Sequence, residues 1–308
     1  MFRLILFILA GTVSATASAT EPPITAIDFA PSGDELVAVS QSGLHVFSWP
    51  ELKRKRTIEV SMPNLHAVAF SADGLHIAVG GGYPSEAGDV SIFTWPAGKL
   101  VATLEDHEDS VRSVVWLNES KLVSTSIDRK IHLWDIMTDT PLATMTGHSR
   151  SVDAVCLLSD GKTLVSTGVD QSVRVWNLET SKLVRNLRQH TGNVNSLALR
   201  PGTGGLPMVA SGAADRTIRF WQPTIGRMVR YVRLQAEPLN IAWTTDGARI
   251  LAACADGHVR FIDPVDVTVT EDLPAIDGWA YAIAVHPSDG SFAVGGTNEQ
   301  IRRLERRL

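Results

Sequence analysis

The same four residue types return in the same order three times along this 308-residue chain: His, then Ser, then Asp, then Trp. The sets are His107/Ser124/Asp128/Trp134, His148/Ser166/Asp170/Trp176 and His190/Ser211/Asp215/Trp221. Asp follows Ser by four residues each time, and Trp follows Asp by six. An active site needs one such constellation, whereas a repeated building block carries it once per copy. The chain therefore reads as modular.

The Trp position extends the period. Trp49, Trp95, Trp134, Trp176 and Trp221, then Ile262 and Leu304 in the same place, lie 46, 39, 42, 45, 41 and 42 residues apart. Within each unit, short runs alternate apolar and polar residues, as in Ile131-His132-Leu133-Trp134, Val173-Arg174-Val175-Trp176 and Ile218-Arg219-Phe220-Trp221. That alternation marks half-buried strands rather than helices. Pro31-Ser32-Gly33, Ala72-Asp73-Gly74, Ser159-Asp160-Gly161, Thr245-Asp246-Gly247 and Ser288-Asp289-Gly290 separate the first and second runs. These are turns, because Gly reaches positive φ and Asp or Ser caps the turn backbone.

At this point the sequence resembles the WD-repeat (beta-transducin-like) family. The resemblance is carried by Gly147-His148, Ser166, Asp170 and Trp176-Asn177, with Trp134-Asp135 as the one full WD dipeptide. It covers residues 24–308, strongly in the third to fifth units and in degenerate form elsewhere. The first two units keep Trp but lack the His. The sixth has Ala252 at the Ser position and Ile262 for Trp, and the seventh has Asn298 for Asp and Leu304 for Trp. The resemblance implies an all-β fold, a seven-bladed β-propeller of four-stranded antiparallel blades. The units fall at about 24–62, 63–105, 106–146, 147–188, 189–234, 235–275 and 276–308.

In such a unit a His imidazole bridges a Ser hydroxyl and an Asp carboxylate and, through Ser, the indole N–H. Every buried polar atom then has a partner. A Ser-His-Asp hydrolase triad is the competing reading. Repetition, the accompanying Trp and the lack of a Gly-x-Ser-x-Gly elbow stand against it.

The first residues carry different chemistry. Arg3, the apolar run Leu4-Ile5-Leu6-Phe7-Ile8-Leu9-Ala10 and the small residues Ala17-Ser18-Ala19 have the form of a secretory signal peptide. It occupies residues 1–19, with cleavage after Ala19 and Ala17 as second choice. The apolar run is too short to span a bilayer, so no membrane span is expected. Export leaves the seventh unit with three strands, since Thr20-Glu21-Pro22-Pro23 holds two prolines that cannot donate ladder hydrogen bonds. With the leader attached, residues 13–20 would supply the fourth strand. Cys156 and Cys254, in non-adjacent units, read as buried thiols too distant to pair. An exported, disulfide-free chain favours a bacterial periplasm or an extracellular address.

Aligning the innermost strand of each unit on its first apolar residue places Thr25, His66, Arg112, Asp153, Asn195, Asn240 and Tyr281 at one mouth of a central channel. Each can hydrogen-bond, and Arg112 with Asp153 offers both signs of charge, which suits a peptide more than a polyanion. A second candidate is basic: Lys53, Arg54, Lys55 and Arg56, with Arg302, Arg303, Arg306 and Arg307 in the neighbouring unit, toward an anionic surface. Net charge is −5, so no nucleic-acid partner is expected.

His45, His66 and His76 lack metal-ligand spacing, and neither haem, phosphate-loop nor dinucleotide motifs occur, so no metal and no cofactor is expected. The expected function is a non-catalytic scaffold binding a protein or peptide across the channel mouth. The alternative is a propeller hydrolase or oxidoreductase using the central funnel.

Overall fold

Seven antiparallel sheets ring a central channel in the computed structural model, which describes residues 21–202 and 204–305. Six sheets hold four strands and the seventh, residues 280–304, holds three, all in simple up-and-down order. The innermost strands are Ala26–Phe29, Ala67–Phe70, Val111–Trp116, Val152–Leu157, Val194–Leu199, Pro238–Trp243 and Ala280–Val285. Each packs against the next, and the first against the last, so the fold is the expected seven-bladed β-propeller.

Local chemistry explains the hairpins. Gly33, Gly74, Gly161, Gly247 and Gly290 turn the chain at φ of +80°, +69°, +65°, +64° and +75°. Asp carboxylates brace these turns: Asp73 accepts from Leu75 N, Asp246 from Ala248 N and Asp289 from Ser291 N. The core lies in the seams between blades. One cluster joins Val123, Ile131 and Met145 of the third blade to Val152, Val155, Leu164 and Trp176 of the fourth. Trp134, Trp176 and Trp221 are fully buried in these seams, where each indole removes a large apolar area from water. Cys156 and Cys254 are buried free thiols, pushed up by burial to about 12 and about 11.

The ring closes through side chains as well as strand packing. Ile24 N donates to Gly296 O at 3.0 Å, and Glu299 N donates to Pro22 O at 3.1 Å. Pro22 therefore serves as an acceptor, the one ladder role a proline keeps. The Glu299 carboxylate, on the seventh blade, accepts from Ser42 Oγ at 2.5 Å and pairs with Arg54 at 2.7 Å on the first. His286 stacks on Trp49 with ring centroids 5.8 Å apart, and Phe29 meets Trp49 edge-on at 4.7 Å. The three-stranded last blade agrees with expectation. Residues 13–20, the other donor considered for its outer strand, lie outside the described residues, as does the whole leader.

Candidate functional site

In blades three to seven the inner strand opens with a β-bulge. Val111 faces Ser126 and Ser113 faces Thr125, which leaves Arg112 unpaired between them. The same irregularity leaves Asp153, Asn195, Leu239 and Tyr281 outside the ladder in the next four blades. A bulge bends the strand and re-aims the extra side chain. Here it turns those side chains toward the channel. Thr25, His66, Arg112, Asp153, Asn195, Asn240 and Tyr281 all border one funnel of about 540 Å³.

One register differs from expectation. The bulge residue of the sixth blade is Leu239, and Asn240 sits one step along, opposite Ala253. Pro238 and Leu239 are both apolar, so counting from the first apolar residue of a typical strand slipped by one. Leu239 and Asn240 both line the funnel.

The funnel's polar groups differ in how free they are. Thr25 Oγ1 donates to Leu65 O at 2.6 Å and is spent inside the wall. Asn195 Nδ2 donates to Glu237 Oε1 at 2.7 Å. Arg112 Nε stands 3.8 Å from Asp153 Oδ1, with about a third of its side chain exposed. Burial, and then the Arg112 guanidinium, pushes His66 down to about 4, so its imidazole is neutral at pH 7. Glu237 lines the funnel, and Trp279, 51% exposed, lies 5.7 Å from the Tyr281 ring. Glu237 and Trp279 were missed in the sequence. Each directly precedes its inner strand, and that position was the available signal.

The three tetrads form the same hydrogen-bonded chain. Trp Nε1 donates to Ser Oγ at 2.8, 2.7 and 2.8 Å. Ser Oγ meets His Nε2 at 2.7 Å in all three. His Nδ1 meets Asp Oδ2 at 2.7, 3.0 and 2.8 Å. A carboxylate only accepts, so Nδ1 carries the proton and Nε2 accepts from Ser. The same Asp oxygen accepts the backbone N–H of Glu108, Ser149 or Thr191, tying the loop before the inner strand to the turn after the second. Burial pushes the Asp215 carboxyl up, but donors from Thr217, Thr191 N and His190 outweigh it and hold it down at about 2. Ser124, Ser166 and Ser211 are 0% exposed, so no substrate reaches their hydroxyls. The tetrads are braces.

Comparison with known proteins falls on those blades. The family described as WD domain, G-beta repeat matches residues 98–135, 139–177 and 181–222. Residues 98–222 carry three WD40 repeats. Each matched stretch takes in an outer strand of one blade (Leu100–His107, Ala143–Thr146 or Lys182–Leu187) and ends in or just after the third strand of the next. The repeat therefore straddles a seam, with its His at the crossing. Fizzy-related protein 1 of Arabidopsis thaliana is 27% identical over 77% of this chain and 49% of its own length. Anaphase-promoting complex subunit cdc20 of Dictyostelium discoideum is 29% identical over 66% of this chain and 41% of its own. The striatin homolog of the same organism is 27% identical over 67% and 28%. The chain spans less than half the length of these relatives. They are eukaryotic, and nothing in them supports a bacterial origin.

The basic cluster is largely engaged within the fold. Residues 54–56 lie in the outer strand Arg54–Ile58 rather than in a turn. Arg54 pairs with Glu299 and Lys55 with Glu35, both at 2.7 Å, while Arg56 donates to Pro96 O and lies over the Trp95 ring. Arg303 pairs with Glu305 and covers the Trp49 ring. Arg306 and Arg307 lie outside the described residues.

Proposed function

We propose that this chain is a non-catalytic scaffold that holds a protein or peptide partner over the channel mouth. One observation carries the reading: successive inner strands open with a bulge that aims Arg112, Asp153, Asn195, Leu239 and Tyr281 into a single funnel. That funnel offers a cation, carboxylates, amides and aromatic surface, the mixture that reads main-chain and side-chain groups of a peptide. The cdc20 relative bears the name of a subunit of a complex, which supports a binding role. The basic cluster plays no part in this reading, because Arg54, Lys55 and Arg303 pair with Glu299, Glu35 and Glu305.

Replacing Arg112, Asp153 and Tyr281 together by Ala is expected to leave the thermal midpoint near wild type, since all three sit at the mouth. Binding of a cross-linked and identified partner should weaken by roughly tenfold or more, the usual cost of losing central interface anchors. Equal binding by a folded triple variant discards the channel-mouth assignment.

We also propose that the chain is exported, on the strength of Arg3, the apolar run and Ala17-Ser18-Ala19. Amino-terminal sequencing of the protein purified from its source should read from Thr20. A start at Met1 or Phe2 overturns this.

A further inference from the structure

The third blade departs from its neighbours at one position, and the departure brings metal-ligating groups together. Opposite the tetrad serine, on the third strand, the fourth and fifth blades carry Arg174 and Arg219. Their guanidinium groups stand 3.2 Å and 3.6 Å from the tetrad carboxylates of Asp170 and Asp215. The sixth blade repeats the device with Arg260 and Asp256 at 2.6 Å. In the third blade the position opposite Ser124 is His132. Asp128 therefore lacks the guanidinium that its counterparts have, and a second imidazole lies against His107 with ring centroids 4.1 Å apart.

His132 is 1% exposed, and its two nitrogens are unequally served. Nδ1 shares a hydrogen bond with Thr144 Oγ1 at 2.9 Å. Nε2 has no hydrogen-bond partner among the described residues, although the Asp106 carboxylate stands 3.5 Å from it. The first blade shows what a satisfied version looks like. There His45 also shares Nδ1 with a threonine, Thr57, but its Nε2 meets Ser42 Oγ at 2.8 Å. An unpaired buried nitrogen is costly unless something answers it.

We propose that His107, Asp128 and His132 form a binding site for a divalent transition-metal ion, with Zn²⁺ the best-matched species, and that the half-exposed Asp106 carboxylate beside His132 swings in to complete the set. One ligand atom each from His107, Asp128 and His132 lie within 4.8 Å of one another. Ligands about 2.1 Å from zinc stand about 3.4 Å apart at the corners of a tetrahedron. The gap between His132 Nε2 and Asp106 Oδ2 already has that size. Binding replaces the proton between His107 Nδ1 and Asp128 Oδ2, now 2.7 Å apart, and the two atoms part by about 0.7 Å to reach tetrahedral spacing. The proton moves to His107 Nε2, which then donates to Ser124 Oγ alongside Trp134 Nε1, so the imidazole stays neutral while the serine hydroxyl gives up its imidazole acceptor, a cost the metal–ligand bonds offset. Two imidazoles and two carboxylates are a hard-to-borderline donor set that suits zinc over calcium or magnesium. The ion supplies the positive charge that arginine gives the next three blades. Asp106, with half its side chain exposed, is the way in. Lys130, two residues from Asp128, is held by Glu108 at 2.9 Å. No sequence motif marks this site, because its ligands are spread over the end of one blade and two elements of the next.

The test is a Zn²⁺ titration of tag-free, chelator-stripped full-length protein by calorimetry, with Co²⁺ absorption reporting coordination geometry. Wild type should bind one equivalent, give a tetrahedral cobalt spectrum and gain thermal stability as metal is added. H132R installs the arginine of the neighbouring blades and should fold, yet bind zinc at least about tenfold more weakly and show no thermal gain. D106N, at a half-exposed position, should weaken binding similarly, and it decides the matter if H132R fails to fold. The proposal is overturned if wild type takes up no stoichiometric zinc, or if folded H132R or D106N binds as tightly as wild type.

Discussion

Asp170→Ala should lower the unfolding free energy by about 3–5 kcal/mol, the range for removing one partner of a buried ion pair. The carboxylate serves His148 Nδ1 at 3.0 Å, Ser149 N at 3.1 Å, Ser172 Oγ at 2.6 Å and the Arg174 guanidinium at 3.2 Å. Arg174 is 4% exposed, so Ala leaves a buried cation without its counter-ion. The equivalent changes should rank below it. Asp215→Ala strands Arg219 less, since that guanidinium is farther away at 3.6 Å, more exposed and also covers the Tyr231 ring. Asp128→Ala strands no arginine. Urea unfolding at equal slopes, in chelator, gives the order Asp170, Asp215, Asp128. Three equal losses would show that the stranded guanidinium is not what sets the cost.

That ranking depends on details a sequence shows only in part. The Ser-Asp-Trp spacing was legible because one hairpin fixes it. Ser sits on the second strand, Asp in the turn and Trp on the third strand, and Leu122 pairs with Trp134 while Ser124 pairs with His132. Register alone places Ser and Trp on one face, two residues apart along the sheet. The fold followed from that hairpin being repeated. The mouth was legible to within one residue, and it slipped where a bulge adds a residue to a strand beginning with two apolar ones, Pro238-Leu239.

What stayed hidden has no local signature. Glu299 reaches Ser42 and Arg54 across some 250 positions of chain, and only closing the ring brings them together. His132 reads in the sequence as a strand residue like Arg174. Its unpaired nitrogen exists only because Asp106 and His107 arrive from the preceding blade. Sites at seams are invisible to any reading that treats the unit as self-contained, and in this chain the chemistry is concentrated at seams.

Acidification from pH 7 to 4.5 should lower the thermal midpoint by about 10 °C, given that several kcal/mol are at stake and each kcal/mol moves a domain of this size by a few degrees. Burial comes first among the causes that push His66 and His190 down to about 4 and His132 to about 3, from an ordinary value of 6.5. His45 is lowered too, by burial and then by Arg54. Below pH 6.5 the unfolded chain binds protons that these folded imidazoles refuse, so stability falls until about pH 4. Asp28 acts in the opposite sense. Burial raises its carboxyl to about 6 despite the N–H groups of Phe70 and Phe29, so its folded form takes up a proton before the unfolded one does. Asp89, raised by burial and then by Glu105, acts the same way, and two such carboxyls against four histidines reduce the slope without reversing it. Asp215, held at about 2, adds its own loss only below about pH 4. His66→Gln removes one histidine at the mouth without touching a tetrad, and should flatten the curve between pH 6.5 and 4. A midpoint constant from pH 7 to 4.5, or an unaltered slope in folded H66Q, would mean that these imidazoles take up protons in the native ring and that their burial is not what limits it in acid.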